Sequence, residues 1–341
     1  MKTRKVLILA FLILAICSCS KKEKIKDSSI KIGFSAASDT FLLERWDRDI
    51  KVFMNEAREL GAEVIFAKSP GNALGQIPQI QYLLEQDIDV LVVIPQDMEL
   101  LAGVIKKIMD KGIPVLSYDR PIMGVPITGY VSFDNREVGR LLASALVSAR
   151  PSGNYLIVNG SIRDNNSFEV NRGVHEIIDP YVENGGIRIV KEIWLEHWSF
   201  DEAKERIEEV LQTTQDIDAV SAANDQIADA AIRLFSELRM AGKVMVVGQD
   251  ADLLSCQRVV EGTQLMTVYK PIDNLAGRAA ELAVQMAKGE IPEPEQYIDN
   301  NGQKIPFYVE TPIAVYKEQM DSIVISDGFH SREDVYRNII R

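Results

Sequence analysis

The stretch Asp87–Pro95 (DIDVLVVIP) joins two aspartates to an apolar run, and Asp216–Asn224 (DIDAVSAAN) repeats this pattern later in the chain. Apolar runs without polar alternation are typical of strands that helices cover on both faces. Lys111–Val115 and Ala241–Val244 form a second, weaker echo. The repetition predicts two similar lobes, each built around a buried parallel sheet.

Outward from these stretches, short β-rich runs alternate with longer amphipathic segments. Such alternation is typical of parallel, doubly wound sheets. The expected fold class is therefore α/β, with two similar doubly wound parallel-sheet lobes joined by a hinge. The predicted strands are Ile30–Ser35, Glu63–Ala67, Val90–Ile94, Val115–Tyr118, Tyr130–Phe133, Asn154–Asn159, Ile187–Trp194, Ala219–Ala222, Val244–Val247 and Leu265–Val268.

The length of the chain also predicts two domains, because 341 residues exceed the usual size of one hydrophobic core. We expect the second lobe to begin near Glu137 and the chain to return to the first lobe after about Pro271. The predicted divisions are a signal peptide at 1–18, a tether at 19–29, an N-terminal lobe of 30–136 plus about 273–309, a C-terminal lobe of 137–272 plus about 310–330, and a tail at 331–341.

Polar residues follow the predicted strands of both lobes. In open α/β sheets, ligands bind beyond the carboxyl ends of the strands, so these residues are candidates for a binding site. The candidates are Asp119 and Arg120, Asn159 and Gly160, Asp164 to Asn166, Asn224 and Asp225, Gln249 and Asp250, and Lys270.

A cleft lined in this way suits a neutral polyhydroxylated ligand. Each sugar hydroxyl both donates and accepts, while carboxylates accept and cationic or amide groups donate. Trp46, beside Arg45, and Trp198 could supply aromatic faces for a pyranose ring. A single Asp or Asn after a strand often caps a helix instead, and we interpret Asn135 and Asp225 in that way. The residues alone predict a two-lobed receptor for a polar ligand.

The N-terminus carries the pattern of a secretion signal. The cations Lys2, Arg4 and Lys5 precede the apolar run Val6–Ile16, which is too short for a stable membrane-spanning helix. This combination predicts a signal peptide.

The end of that run, Ile16-Cys17-Ser18-Cys19, resembles a bacterial lipoprotein processing site. An aliphatic residue three positions and a small residue one position before Cys19 predict cleavage there and lipidation of Cys19. Cys17 is the weaker candidate, since bulky Ile16 would then occupy the position for a small side chain. An ordinary signal peptide with incidental cysteines is the alternative. Two or more acyl chains would hold the protein on a membrane, in the periplasm or at the cell surface.

Composition excludes several other roles. The formal net charge of −12 makes nucleic acid a poor partner, because phosphate binding requires a basic surface. The histidines, His175, His197 and His330, lack the spacing of metal ligands, so no metal and no cofactor are expected. Cys256 would be the remaining thiol and is expected to pack as a small apolar residue.

Motifs spread between about Lys31 and His330 carry a family resemblance. The chain closely resembles the D-xylose-binding proteins of bacterial ABC importers, within the ribose/galactose-type periplasmic binding protein superfamily. The matching stretches are Leu43–Trp46 (LERW), Tyr118–Arg120 (YDR), Ser132–Asn135 (SFDN), Asp164–Asn166 (DNN), Asn224-Asp225, Gly248–Asp252 (GQDAD), Gly262–Gln264 (GTQ), Met266–Pro271 (MTVYKP), Thr311–Ile313 (TPI) and Asp327–His330 (DGFH).

This resemblance implies a type I periplasmic binding protein fold and no enzymatic activity. It implies that the protein is a monomer that closes around a monosaccharide and presents it to a membrane permease. The sugar that the resemblance implies is D-xylose. The residues implied in sugar binding are Arg45, Asp119 and Arg120 from the first lobe, and Asp164, Asn166, Trp198, Asn224, Asp250 and Lys270 from the second lobe and hinge side.

Several alternatives stay open at this point. A sensor could present the same sugar to a histidine kinase or chemoreceptor. Asp119 and Asp250 could form the carboxylate pair of a glycosidase. A repressor effector domain shares the fold but would need a helix-turn-helix, which the N-terminus lacks. The segment Ala36–Leu42 is about two residues longer than is usual in the family, so the sugar class is predicted more firmly than the individual sugar.

Overall fold

The structure is a computed structural model that describes residues 29–37, 43–69 and 72–339. The strands in these ranges are β1 (Ile30–Ala36), β2 (Ala62–Lys68), β3 (Val90–Val93), β4 (Val115–Tyr118), β5 (Gly129–Phe133), β6 (Gly153–Ser161), β7 (Ile187–Leu195), β8 (Ala219–Ala222), β9 (Met245–Gln249), β10 (Met266–Tyr269), β11 (Gln296–Asn300), β12 (Gln303–Glu310) and β13 (Ile313–Val315).

The α-helices in the same ranges alternate with the strands. They are α1 (Leu43–Glu59), α2 (Ala73–Leu84), α3 (Ala102–Met109), α4 (Asn135–Ala149), α5 (Asn165–Glu183), α6 (Phe200–Thr213), α7 (Asp225–Glu237), α8 (Leu253–Glu261), α9 (Ile272–Ala287) and α10 (Arg332–Tyr336).

Two sheets organise the chain. The first has the order β11-β12-β5-β4-β3-β1-β2, and the second has the order β13-β10-β9-β8-β6-β7. All pairs are parallel except β11 with β12 and β10 with β13. The predicted α/β fold with two doubly wound lobes is confirmed.

The chain passes between the two sheets three times, after β5, after β10 and after β12. Helix α9 belongs to the first lobe, because its Leu275 and Ala279 share a core with Phe34 of β1 and Phe53 of α1. These crossings are where a hinge would lie. The residue boundaries predicted for the two domains remain a prediction.

The position of strand β3 explains why the VLVV part of the DIDVLVVIP stretch has no polar residue. All of its residues are buried, and they alternate between two helical layers. Val90 and Val92 pack in the cluster that contains α1 and α9, whereas Leu91 and Val93 pack in the cluster that contains α2 and α3. Burial of each such side chain stabilises the fold by about 1.5–3 kcal/mol.

The strands predicted from the sequence all appear as β1 to β10, while β11, β12 and β13 were not predicted. Strand β11 (QYIDN) is polar and mostly exposed, and β13 has three residues. Such short edge strands lack the apolar run on which the prediction rests. Each of the three unpredicted strands forms by pairing with a neighbouring strand: β11 with β12, β12 with β5, and β13 with β10.

Helices α4 and α5 cross in very close contact at two glycines. A Cβ atom at Gly173 would lie 2.0 Å from the carbonyl oxygen of Arg136, and one at Gly139 would lie 2.0 Å from that of Val170. Backbone atoms cannot rotate away, so this crossing tolerates no side chain at either position.

We therefore expect Gly173→Ala to lower the free energy of unfolding by about 1–3 kcal/mol or more, because the helices must separate. The matched control is Gly103→Ala in α3, where an added Cβ meets nothing within 4 Å. There the better helix propensity of alanine should raise stability by up to about 1 kcal/mol. Urea unfolding followed by circular dichroism measures both, and equal stabilities would contradict the close helix crossing.

Candidate functional site

A small cavity of about 20 Å³ lies between the lobes, at the carboxyl ends of the strands. Polar side chains from both lobes surround it. The lining residues are Asp119, Arg120, Asn135, Asp164, Asn166, Trp198, Asn224, Gln249, Asp250 and Lys270.

Two aspartates occupy equivalent positions in the two lobes. Asp119 follows β4 with φ of 63°, and Asp250 follows β9 with φ of 100°. Each donates its backbone N–H to the neighbouring strand, to the carbonyl oxygens of Val131 and Val268 respectively, at 2.8 Å. A positive φ is strained for a residue with a side chain and is typical of functional positions. Here it accompanies two carboxylates at the cavity wall.

The carbonyl oxygen of Asp119 is the centre of a buried hydrogen-bond cluster. It accepts from the hydroxyls of Ser132 at 2.7 Å and Tyr130 at 2.9 Å, and from Nδ2 of Asn166 at 2.9 Å. Asn166 lies on α5 of the second lobe, so this bond joins the lobes. Burial raises the pKa of Tyr130 well above its usual value, which keeps its hydroxyl neutral. The cluster holds the strained Asp119 backbone in place.

An ion pair also crosses the cavity. Arg120 Nε lies 3.0 Å from Asp164 Oδ2, and both side chains are almost fully buried. Burial raises the pKa of Asp164, and the nearby Arg120 guanidinium opposes that shift. Asp164 also accepts from the backbone N–H of Asn166 at 3.0 Å and from Trp198 Nε1 at 3.0 Å. These donors compensate for placing a carboxylate in a buried site.

The ring of Trp198 packs against the backbone of Gly160. A Cβ atom at Gly160 would lie 2.1 Å from Cη2 of the ring, so only glycine permits this contact. The indole N–H is held by Asp164. Together these contacts keep the ring at the cavity wall, where it can lie against the apolar face of a ligand.

On the side of the second lobe, a charged pair and an amide side chain line the cavity. Lys270 Nζ lies 2.6 Å from Asp250 Oδ1, and each side chain is 8% exposed. Asn224 Oδ1 accepts from the backbone N–H of Ile227 at 3.0 Å and caps α7. The site therefore presents donors and acceptors from both lobes to one small volume.

Comparison with known proteins places the chain in a family. A sequence profile described as a periplasmic binding protein domain matches residues 40–291. The chain belongs to the periplasmic binding protein family. Members that serve sugar transporters bind their ligand without transforming it, so this protein is a binding protein and not an enzyme.

Individual relatives are similar over nearly the whole chain. The D-xylose-binding periplasmic protein of Haemophilus influenzae is 40% identical and covers 98% of this chain and 100% of its own length. The D-xylose-binding periplasmic protein of Escherichia coli is 39% identical, with 95% and 98% covered. A carbohydrate transporter solute binding protein from Chloroflexus aurantiacus, solved with D-glucose, is 25% identical with a TM-score of 0.83, covering 90% and 98%.

The structure of this periplasmic binding protein brings most of the predicted sugar-binding residues together. The eight that line the cavity are Asp119, Arg120, Asp164, Asn166, Trp198, Asn224, Asp250 and Lys270.

Two of the predicted residues, Arg45 and Trp46, lie at the start of α1, and neither is seen at the cavity. Trp46 does not line the cavity; it is 1% exposed, in the core of the first lobe. The guanidinium of Arg120 lies over its ring, 5.6 Å from the centroid, so Trp46 supports a cavity residue from behind. Arg45 belongs to α1, but its side chain lies outside the described residues. Cys19 and most of the segment Ala36–Leu42 also lie outside them.

The capping roles predicted for Asn135 and Asp225 are wrong. The caps are the preceding residues, Asp134 for α4 and Asn224 for α7. Asn135 instead lines the cavity. Asp225 is buried and accepts from Thr267 Oγ1 at 2.8 Å, while burial raises its pKa well above the usual value. The cap is the extended residue that precedes the first helical residue. The sequence-based prediction placed each cap one residue too late in the chain.

Gln249 was named with Asp250 as a residue that follows a strand but was not selected as a site residue, and it lines the cavity.

Cys256 is a buried free thiol that packs among apolar side chains, as predicted. Within residues 29–37, 43–69 and 72–339, no helix is long and apolar enough to span a bilayer, and no His, Cys, Asp and Glu side chains cluster as a metal site.

Proposed function

We propose that this protein is an extracytoplasmic receptor that binds D-xylose, or a closely related monosaccharide, and delivers it to an ABC permease. The observation that carries the proposal is the small interlobe cavity, in which buried acceptors and donors from both lobes face one another. A pyranose offers hydroxyls that satisfy both kinds of group. Xylose is chosen because the relatives with 40% and 39% identity are named for it.

Binding works by closure of the lobes over the sugar. Besides the cavity residues, the cleft mouth carries interlobe contacts: Met98 N–H donates to the carbonyl oxygen of Arg163 at 3.1 Å, and Arg163 Nη1 lies 3.5 Å from Asp97 Oδ2. The closed arrangement therefore has contacts of its own. A sugar that touches both lobes binds the closed form more tightly than the open one and shifts the population toward it.

The N-terminal pattern supports membrane attachment. We propose that a lipid on Cys19 holds the protein at the periplasmic or outer surface of a membrane, with residues 20–29 as a tether and with the protein a monomer. Metabolic labelling with a radioactive fatty acid tests the anchor: Cys19→Ala should abolish labelling, whereas Cys17→Ala should not. Labelling that persists in Cys19→Ala would contradict it.

Calorimetry on a soluble form beginning near Ser28 tests the ligand. We expect a dissociation constant in the micromolar range or below for D-xylose, with weaker binding of ribose, arabinose, glucose and galactose. Clear binding of another sugar without any heat from xylose would overturn the assignment. In the native host, deletion should abolish xylose uptake; loss of xylose induction with uptake intact would indicate a sensor instead.

A further inference from the structure

Gln249 is a cavity residue to which the family resemblance assigned no role. It is the last residue of β9, and its side chain is 4% exposed at the cavity wall. Its Nε2 donates to the carbonyl oxygen of Ala223 at 2.6 Å. Because a carbonyl oxygen can only accept, this bond fixes which end of the amide is the nitrogen and which is the oxygen.

The other end of the amide is unsatisfied. Among residues 29–37, 43–69 and 72–339, nothing donates to Gln249 Oε1, although the atom is buried. Buried polar atoms nearly always have a hydrogen-bond partner, because losing hydration without replacement is costly. A ligand group that donates a hydrogen bond from the cavity would supply the missing partner.

The surroundings define which ligand group fits. The oxygen of Asn224 is occupied by its helix cap, so its Nδ2 is the end that can donate to a ligand. Asp250 and Lys270 occupy the same wall as a charged pair. The residues that line the cavity therefore include a neutral acceptor, on Gln249, and an amide donor, on Asn224. A hydroxyl, which donates once and accepts, matches this combination, whereas an ether oxygen or a methylene does not.

We propose that Gln249 accepts a hydrogen bond from one hydroxyl of the bound sugar and so contributes to the choice of sugar. The proposal rests on the sugar-binding function proposed above and adds a specificity residue to it. A site that bonds a hydroxyl discriminates against an analogue that lacks it, because its own polar atom is then left unpaired.

The test is a thermodynamic cycle by calorimetry with D-xylose and its 2-, 3- and 4-deoxy analogues. Gln249→Met keeps the length of the side chain and removes the acceptor. We expect it to weaken D-xylose binding by about tenfold. Discrimination against one of the three deoxy analogues should disappear in the variant, while discrimination against the other two should remain.

Gln257→Met is the matched control. Gln257 lies in the same lobe, is 1% exposed, donates from Nε2 to the carbonyl oxygen of Asp334 at 2.8 Å, and lies outside the cavity. It should leave all the affinity ratios unchanged. A purely structural role for Gln249 would instead weaken all four sugars by one factor, and that result, or unchanged binding, would overturn the inference.

Two further outcomes are distinguishable from failure of the inference. If the wild-type protein binds another sugar and not xylose, the assignment of xylose fails and the same cycle is run with that sugar and its deoxy analogues. If circular dichroism shows that Gln249→Met is unfolded, Gln249→Leu, which also lacks the acceptor, replaces it. The same loss of discrimination against one deoxy analogue is expected, and unchanged discrimination would contradict the proposal.

Discussion

Asp250→Ala is expected to lower the affinity for D-xylose by about 30-fold or more while the protein stays folded. The change removes the acceptor that lies in the cavity after β9. It also leaves the Lys270 ammonium, which is 2.6 Å from the carboxylate and 8% exposed, without this buried counter-charge. A truncated charge pair costs most when the remaining charge stays desolvated.

Asp110→Ala is the matched control for this prediction. Asp110 pairs with Lys106 at 2.8 Å, the same chemistry as Asp250 with Lys270, but both side chains are more than half exposed. Exposed pairs contribute little, so xylose affinity should stay within about twofold of the wild-type value. Calorimetry measures affinity, and thermal unfolding verifies the fold of both variants. Unchanged affinity in Asp250→Ala would mean that the sugar binds elsewhere.

The second large effect is expected from Trp198→Ala, which should weaken D-xylose binding by about 30-fold or more. The indole ring lies at the cavity wall, and its Nε1 donates to Asp164, the partner of Arg120. The alanine variant loses the aromatic surface and one of the donors that stabilise the buried carboxylate. Trp198→Phe keeps a ring without the N–H, so it should fall between alanine and wild type.

Trp194→Ala provides the control for general loss of an aromatic side chain. Trp194 lies on β7 in the same lobe and stacks on Phe168 with ring centroids 4.9 Å apart, outside the cavity. Its loss should lower stability without changing xylose affinity by more than about twofold. Equal losses of affinity in the two alanine variants would show that the effect of Trp198 comes from weakened folding and not from ligand contact.

The strand ends alone could locate Asp250 and its counterpart Asp119, whereas Trp198 was named for its aromatic face and by the family resemblance. Asp119 and Asp250 follow apolar runs, and the carboxyl ends of parallel strands meet at one edge of a sheet. The sequence could not show that both residues have a positive φ, or that Tyr130, Ser132 and Asn166 converge on one carbonyl oxygen. That convergence requires two lobes to meet, which no local pattern encodes.

The residues whose roles were predicted wrongly also have a physical explanation. Trp46 carries the aromatic surface of a sugar-stacking residue, but the turn of α1 on which it lies faces the core, where it supports Arg120. Asn135 was assigned to a cap because residue type alone does not distinguish the last extended position from the first helical one. Strands β12 and β13 pair with strands distant in sequence, β5 and β10, and β11 pairs with β12, so local residue patterns did not predict them.

By itself, the amino-acid sequence determined the α/β class and the polar groups available at the strand ends. It also indicated two similar lobes, through the repeated stretches DIDVLVVIP and DIDAVSAAN. These follow from hydrophobic periodicity and residue type, which are local properties. Only the tertiary structure decided which of those groups share one cavity, that Arg120 pairs with Asp164 across it, and that Gln249, whose Oε1 has no partner among the described residues, lines it. These depend on the approach of residues far apart in the chain, and on which polar atoms the folded protein has already paired.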